Sequence, residues 1–287
     1  MLSILLSLYT SIFTYSILVP YSYLYRCFMI FRTRLNNELG NGDARLSLKP
    51  KIESNLPKSS HTFTLTASPL LKQALGAMTD IVPDWEAIMR KMKKTDNRVN
   101  SRNRENIAGS AAEHVTRMNL LRALLERAYH KGAKIFTHPI PRDTVRAGDF
   151  VFLSDPQTQN CCVLNAKTGR LHTEFDALLA IQHPGKLKPE IVVVESKKST
   201  PRLPRHQGIE YVSNYIEHKL VPLKDMFHTH TFSFVLSICQ SMQYTRNQKR
   251  FLEAFQTLGG HIAMLGIQKH ELEAFALGFR GIESIEA

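Results

Sequence analysis

The sequence predicts an α/β (α+β) fold, a mixed sheet flanked by helices with a short N-terminal helical region ahead of it. Three observations carry that expectation. Apolar residues recur at i, i+3, i+4, i+7 in several segments, which is helical spacing. Between them lie short runs rich in Val, Ile, Phe and Thr, bounded by turn residues, which is the mark of strands. From residue 109 the order reads helix, three or four mostly antiparallel strands, helix, strand, and such mixtures pack as a sheet with helices on it.

In chain order, Ser68-Pro69 looks like an N-cap followed by proline at the first helical position, opening a helix to about Met78. After Pro83, the spacing of Trp85, Ile88, Met89 and Met92 predicts a second, amphipathic helix. Residues 109–132 read as a long helix ending at Gly132, with Val115, Met118, Leu121, Leu125 and Ala128 at helical spacing. Extended segments follow: AKIFTH, GDFVFLS, NCCVLN and LHTEFDALLAIQ. Asp155-Pro156 and Lys167-Thr168-Gly169 separate the last three into a meander of hairpins. PEIVVVES is the next strand and RHQGIEYVSNYIEHK the next helix. HTFSFVLSIC, NQKRFLEAFQTL and HIAMLGIQ then read as strand, helix and strand.

At 287 residues with a 43% hydrophobic fraction, the chain has material for one large domain plus appendages, or two small ones. Its formal charge of +12 points to a polyanionic partner, nucleic acid or an anionic membrane surface. Cys27, Cys161, Cys162 and Cys239 show no zinc-type spacing, which argues against a disulfide framework and for a reducing compartment.

Four parts are expected: a hydrophobic segment (1–35), a polar linker (36–66), a basic helical region (67–108) and the main domain (109–287). The first 25 residues carry no charge, and residues 2–19 are about long enough to cross a bilayer. Arg26, Arg32 and Arg34 follow, which under the positive-inside rule gives a transmembrane anchor with the main domain cytoplasmic. An Arg-bearing, acid-poor start also suits mitochondrial addressing. A third reading starts the protein at Met29 and leaves it cytoplasmic. In the basic region Lys93, Lys94 and Arg98 belong to a run that reads either as a solvated face or as phosphate contacts.

The stretch VVVESKKS raises the functional question. On a strand, Glu195 and Lys197 point the same way as Ile191 and Val193. Glu174 and Asp176 share a face of the preceding extended segment, and the short loop HPGKLKP between the two makes them neighbours. Asp176, Glu195 and Lys197 are thereby expected together. Hard carboxylate oxygens suit Mg²⁺ or Mn²⁺. An ammonium beside them can position a water or stabilise a phosphorane-like oxyanion. Glu174 reads as a supporting acid or a solvent-facing residue.

E-F-D, an 18-residue gap and a hydrophobic strand ending in E-S-K resemble the PD-(D/E)XK nuclease superfamily, the restriction-endonuclease-like proteins. Phe stands where the motif's proline would be. The resemblance covers residues 109–267 and implies an αβββαβ core and a Mg²⁺-dependent nuclease, acting on DNA rather than RNA. It implies Asp176 and Glu195 as metal ligands, Lys197 as the catalytic lysine, and an acid on the preceding helix, where Glu113 stands. Glu113 reads alternatively as half of a capping box with Ser110. Gln207 and Tyr211 are similar to the Q-x-x-x-Y element of the RecB-like branch, or are ordinary helix surface. Lys198, Arg202 and Arg205 directly follow the motif and either hold phosphates or solubilise the loop. His228 and His230 read as strand-edge residues. The competing functions are a catalytically silent binding module of the same fold, and a membrane- or organelle-anchored interaction protein.

Overall fold

The structure, a computed structural model, describes residues 64–95, 104–140, 145–154, 161–227, 230–241 and 243–286. The hydrophobic N-terminal segment, nearly all of the linker, Arg98 and His228 lie outside them. Among the described residues no helix is long and apolar enough to cross a membrane.

Two helices open the described chain, α1 (Pro69–Ala77) and α2 (Trp85–Thr95). Ser68 caps α1 by accepting from the Leu71 N–H at 3.2 Å, and Pro69 occupies the first turn, where a missing N–H costs nothing. Asp84 does the same for α2 through the Ala87 N–H at 2.9 Å. Ile88 and Met92 are fully buried and Trp85 stacks on Phe275 at 4.9 Å.

The long helix α3 spans Arg104–Lys131, five residues longer at its start than the sequence suggests. The boundary drawn between 108 and 109 therefore falls inside it. Its buried stripe runs through Ile107, Ala111, Val115, Leu120, Leu124 and Ala128, whereas Leu125 is 51% exposed. The expected stripe was thus shifted by a residue over its middle. Gly132, at φ +62°, ends the helix, and the Ala133 N–H returns to the Ala128 carbonyl at 3.1 Å.

Among the described residues nine strands follow: β1 (Lys134–Phe136), β2 (Val145–Ala147), β3 (Phe150–Ser154), β4 (Cys161–Asn165), β5 (Leu171–Phe175), β6 (Ala177–Gln182), β7 (Glu190–Lys197), β8 (Thr231–Gln240) and β9 (His261–Gln268). Between and after the last three come α4 (Ile209–Met226), α5 (Arg246–Thr257) and α6 (Lys269–Glu286). Strands β2 to β5 make a four-stranded antiparallel meander; the short β2 was not foreseen. The main sheet has the order β1-β6-β7-β8-β9, antiparallel on the β1 side and parallel from β7 to β9.

LHTEFDALLAIQ, expected as one extended segment, is two strands in two sheets. Phe175 pairs with Cys161 in the meander, and Ala177 pairs with Val194 in the main sheet. The chain changes sheets at Asp176, so Glu174 and Asp176 do not share a strand.

The main sheet is covered on both faces, as its near-continuous apolar strands require. Val192, Val194, Val235, Ala263 and Leu265 pack against α1, α2, α3 and α6. Ile191, Val193, Phe234, Leu236 and Ile238 pack against α4, α5 and the meander. The described residues from 64 onward are tied to this sheet at Glu190. That buried carboxylate accepts from the Ser68 N–H, the Ser233 hydroxyl and His183 Nε2.

Candidate active site

Alternation along β7 decides which side chains face which layer. Ser196 points to the α3 side, where its hydroxyl meets Thr116 at 2.9 Å. Glu195 and Lys197 point to the other side, towards α4 and the bend at Asp176. The register Ala177↔Val194 places that bend beside the end of β7, and the Ser196 N–H donates to Asp176 Oδ2 at 2.7 Å. Behind it, Arg117 of α3 donates to the Asp176 backbone carbonyl at 3.2 Å.

The three residues expected together are together. Lys197 Nζ donates to Glu195 Oε2 at 3.0 Å and stands 4.0 Å from Asp176 Oδ2. The Glu195 and Asp176 side chains are 3% and 13% exposed, and Lys197 is 40% exposed, so solvent enters the cluster over the ammonium. Glu113 joins them electrostatically, its charge acting on both Asp176 and Lys197. Because α3 starts at Arg104, Ser110 lies inside the helix, and the capping-box reading of Glu113 falls away.

Two further groups complete the cluster, both on α4. Lys219 Nζ donates to Glu195 Oε1 at 2.6 Å and to the Glu174 backbone carbonyl at 2.7 Å. The Tyr215 hydroxyl lies close enough to Glu195 to feel its charge. Neither was predicted, although Tyr211, Tyr215 and Lys219 recur at i, i+4, i+8, and one helical face carries all three. Tyr211, half-buried, neighbours Tyr215. Gln207 does not join them. The helix begins only after its Gly208 cap, and Gln207 is exposed ahead of it, its carbonyl accepting from Arg250.

Charge in this enclosed space is unevenly shared. Burial, then the like charges of Glu195 and Glu113, push the Asp176 carboxyl up to about 8. Burial would raise Glu195 too, but the Lys197 and Lys219 ammoniums outweigh it and hold Glu195 below its ordinary value. For Lys197, burial alone would lower the ammonium; Glu195 and Asp176 overcome that and hold it well above its usual range. Tyr215 is raised well above ordinary phenols by burial and by both carboxylates, so it stays a neutral donor.

This arrangement suits a cation beside Asp176, because a carboxyl that resists ionising next to other acids gains from any nearby positive charge. Among the described residues no group of three or more His, Cys, Asp or Glu side chains is arranged to hold a metal ion. Mg²⁺ needs fewer, since it keeps several waters. Both Glu195 oxygens carry an ammonium, yet each carboxylate oxygen has a second lone pair. Asp176 and Glu195 are the two carboxylates that could hold a small hard divalent cation, with Glu113 in the surrounding field.

The chain matches no protein-family model, no curated protein and no solved structure.

The remaining basic candidates are dispersed. Lys198 is paired with Glu105 of α3, so it supports the site's rim. Arg202 and Arg205 are exposed on the β7–α4 loop. Lys93 is exposed on α2, its ammonium 6.0 Å from the Phe279 ring centroid, and Lys94 is the next residue of the same helix.

Proposed function

We propose that this protein is a divalent-metal-dependent nuclease with a restriction-endonuclease-like core, hydrolysing phosphodiester bonds of DNA. The observation that carries the reading is the convergence of Asp176, Glu195 and Lys197 at the C-terminal end of β7, the central strand of the main sheet, with Lys197 3.0 Å from Glu195 and 4.0 Å from Asp176. The order of elements supports it: α3, then the antiparallel β1, β6 and β7, then α4 and the parallel β8, which is an αβββαβ succession. On this reading the meander β2–β5 is an insertion between the first two core strands, and α5, β9 and α6 are additions at the C-terminal end. The net charge of +12 suits a polyanionic substrate.

Asp176 and Glu195 would hold Mg²⁺ or Mn²⁺, which when bound supplies water activation and charge neutralisation at the scissile phosphate. The chain's own residues do the positioning. The Ser196 N–H fixes Asp176, while Lys219 fixes Glu195 in its ionised form. Lys197, the most exposed of the group, is left to orient a water or meet the negative charge that builds on a phosphodiester.

One observation favours the alternative, a nuclease-fold module that binds without cutting: both Glu195 oxygens already carry an ammonium. A single assay decides between them, cleavage of linear, circular and branched DNA in Mg²⁺ with EDTA as the control. Wild-type protein is expected to cut only with the metal. Lys197→Ala should retain metal binding and lose about a hundredfold or more in rate. Asp176→Ala and Glu195→Ala should lose both. Activity that survives EDTA, or equal rates for wild type and Lys197→Ala, overturns the reading.

A further inference from the structure

A second positively charged feature lies beyond the carboxylates. A cavity of about 530 Å³ is lined by Arg205, Thr245, Arg246, Asn247 and Arg250. Arg205 comes from the β7–α4 loop, and Arg246 and Arg250 stand one turn apart on α5. Three guanidiniums thus share one hollow whose lining has no acid, and among the described residues none of the three is paired with a carboxylate. Like charges repel, and a gathering of this kind is relieved by an anion.

The hollow is built, not incidental. The Leu203 N–H donates to the Asn247 carbonyl at 3.0 Å, Gln248 Nε2 to the Thr200 carbonyl at 3.2 Å, and Arg250 Nη2 to the Gln207 carbonyl at 3.3 Å. These bonds lock the loop onto α5. The end of α5 is already capped, Thr245 and Gln248 satisfying each other's N–H groups, so the arginines and not the helix terminus make the anion site.

We propose that this cavity is a phosphate-binding subsite that holds the backbone of a nucleic-acid strand beside the Asp176–Glu195–Lys197 site. The inference rests on the nuclease reading for its substrate class, and on its own geometry for the anion. Guanidinium forks match phosphate oxygens in pairs. The hollow is open to solvent and ample for a phosphate group of a passing strand. All five lining residues are polar or charged, which suits a charged strand better than an acyl chain. The position suits a strand crossing the active site. The loop that carries Arg205 leaves directly from Lys197 at the end of β7, and α5 packs on α4, the helix of Lys219, with the Phe251 and Tyr215 ring centroids 6.2 Å apart.

The test is fluorescence anisotropy with a labelled single-stranded oligodeoxynucleotide, in EDTA, over a series of salt concentrations. Arg205→Gln/Arg246→Gln is the main variant, since both side chains are exposed. Arg250→Gln is measured separately because it also braces the loop. The double variant should bind about tenfold more weakly, and its log–log salt slope should fall by roughly 0.7 per lost contact. Pyrophosphate should displace the oligonucleotide from wild type at concentrations that leave the double variant unaffected. Wild type that cuts DNA while the double variant keeps the same affinity and slope overturns the subsite and leaves the nuclease reading standing. Wild type that cuts nothing in Mg²⁺, while the double variant loses oligonucleotide binding, upholds the subsite and removes the nuclease. Arginine-dependent binding to phosphoinositide vesicles, with none to the oligonucleotide, overturns the assignment to nucleic acid.

Discussion

Lys219 Nζ lies 2.6 Å from Glu195 Oε1, so the carboxylate that β7 delivers is gripped by two ammoniums from opposite sides. The two lysines differ in burial: the Lys219 side chain is 13% exposed and that of Lys197 is 40% exposed. A buried charge that loses its partner is costly, whereas an exposed pair contributes little. Lys219→Ala should therefore cost roughly 2–3 kcal/mol of stability, since Glu195 keeps Lys197, and Lys197→Ala about 1 kcal/mol or less. Cleavage should rank the other way, with Lys197→Ala the more damaging. Urea unfolding of both variants checks the order, and Lys197 proving the more stabilising residue would place the structural role on the wrong lysine.

Much of this site was legible because it is local. Glu195 and Lys197 sit two apart on a strand whose Val run is unmistakable, and Asp176 follows from a short connection to a neighbouring segment. Lys219 is 24 residues from Glu195; its spacing with Tyr211 and Tyr215 marks a helical face, but only the docking of α4 on the sheet says what that face meets. The division of LHTEFDALLAIQ left no trace either, because no Gly or Pro interrupts the run and the change of sheet is a tertiary event. Helix α6 is a different case. Leu272, Phe275, Ala276 and Phe279 have helical spacing directly after the end of β9, so the sequence itself carries the signal for this helix. The start of α3 was misplaced because polar residues 104–106 form its first turn and carry no apolar signal.

His172 of β5 and His218 of α4 clamp the meander to the helix. Each ring's Nε2 donates to the other residue's backbone carbonyl at 3.1 Å, and the rings pack at 4.2 Å. A carbonyl only accepts, so both rings carry the proton on Nε2. Burial, then the proximity of His218, lowers His172; burial and the Lys219 ammonium lower His218. A depressed folded-state pKa means that the unfolded chain takes up protons first. Stability is then fully present above the unfolded value near 6.5 and falls as pH drops through it. Asp176, pushed up to about 8, acts the other way over this range, so the check is the difference between two proteins: from pH 7.5 to 5.5 the urea midpoint of wild type should fall relative to that of His172→Asn/His218→Asn. Identical slopes would show that the pair titrates alike in the folded and the unfolded chain.

Gly266 of β9 is pressed against the turn before α2. A Cβ there would stand 2.2 Å from the Thr79 carbonyl oxygen, and backbone cannot swing aside as a side chain can. Gly266→Ala should cost roughly 1–3 kcal/mol. Gly278, inside α6, has nothing within 4 Å of a built Cβ, so Gly278→Ala should instead stabilise by roughly 0.5–1 kcal/mol. Thermal unfolding of the two variants checks the opposite signs. A neutral Gly266→Ala would mean that β9 and this turn move apart freely.

Asp176→Asn separates the demands of folding from those of chemistry. Asp176 is enclosed with Glu195 and Glu113 acting against its ionisation; its Oδ2 accepts from the Ser196 N–H and has the Lys197 ammonium 4.0 Å away, which offsets only part of that conflict. Asparagine retains an acceptor oxygen and removes the charge. In EDTA at neutral pH the variant should be more stable than wild type by roughly 1–3 kcal/mol, the range expected for relieving a poorly compensated buried acid. Glu113→Gln should move in the same direction by less. Mg²⁺ should then raise the unfolding midpoint of wild type, because a ligand of the folded state stabilises by mass action, and should do little for Asp176→Asn. A variant no more stable than wild type in EDTA would mean that the acids are not in conflict. Equal stabilisation of the two proteins by Mg²⁺ would place the cation somewhere other than Asp176.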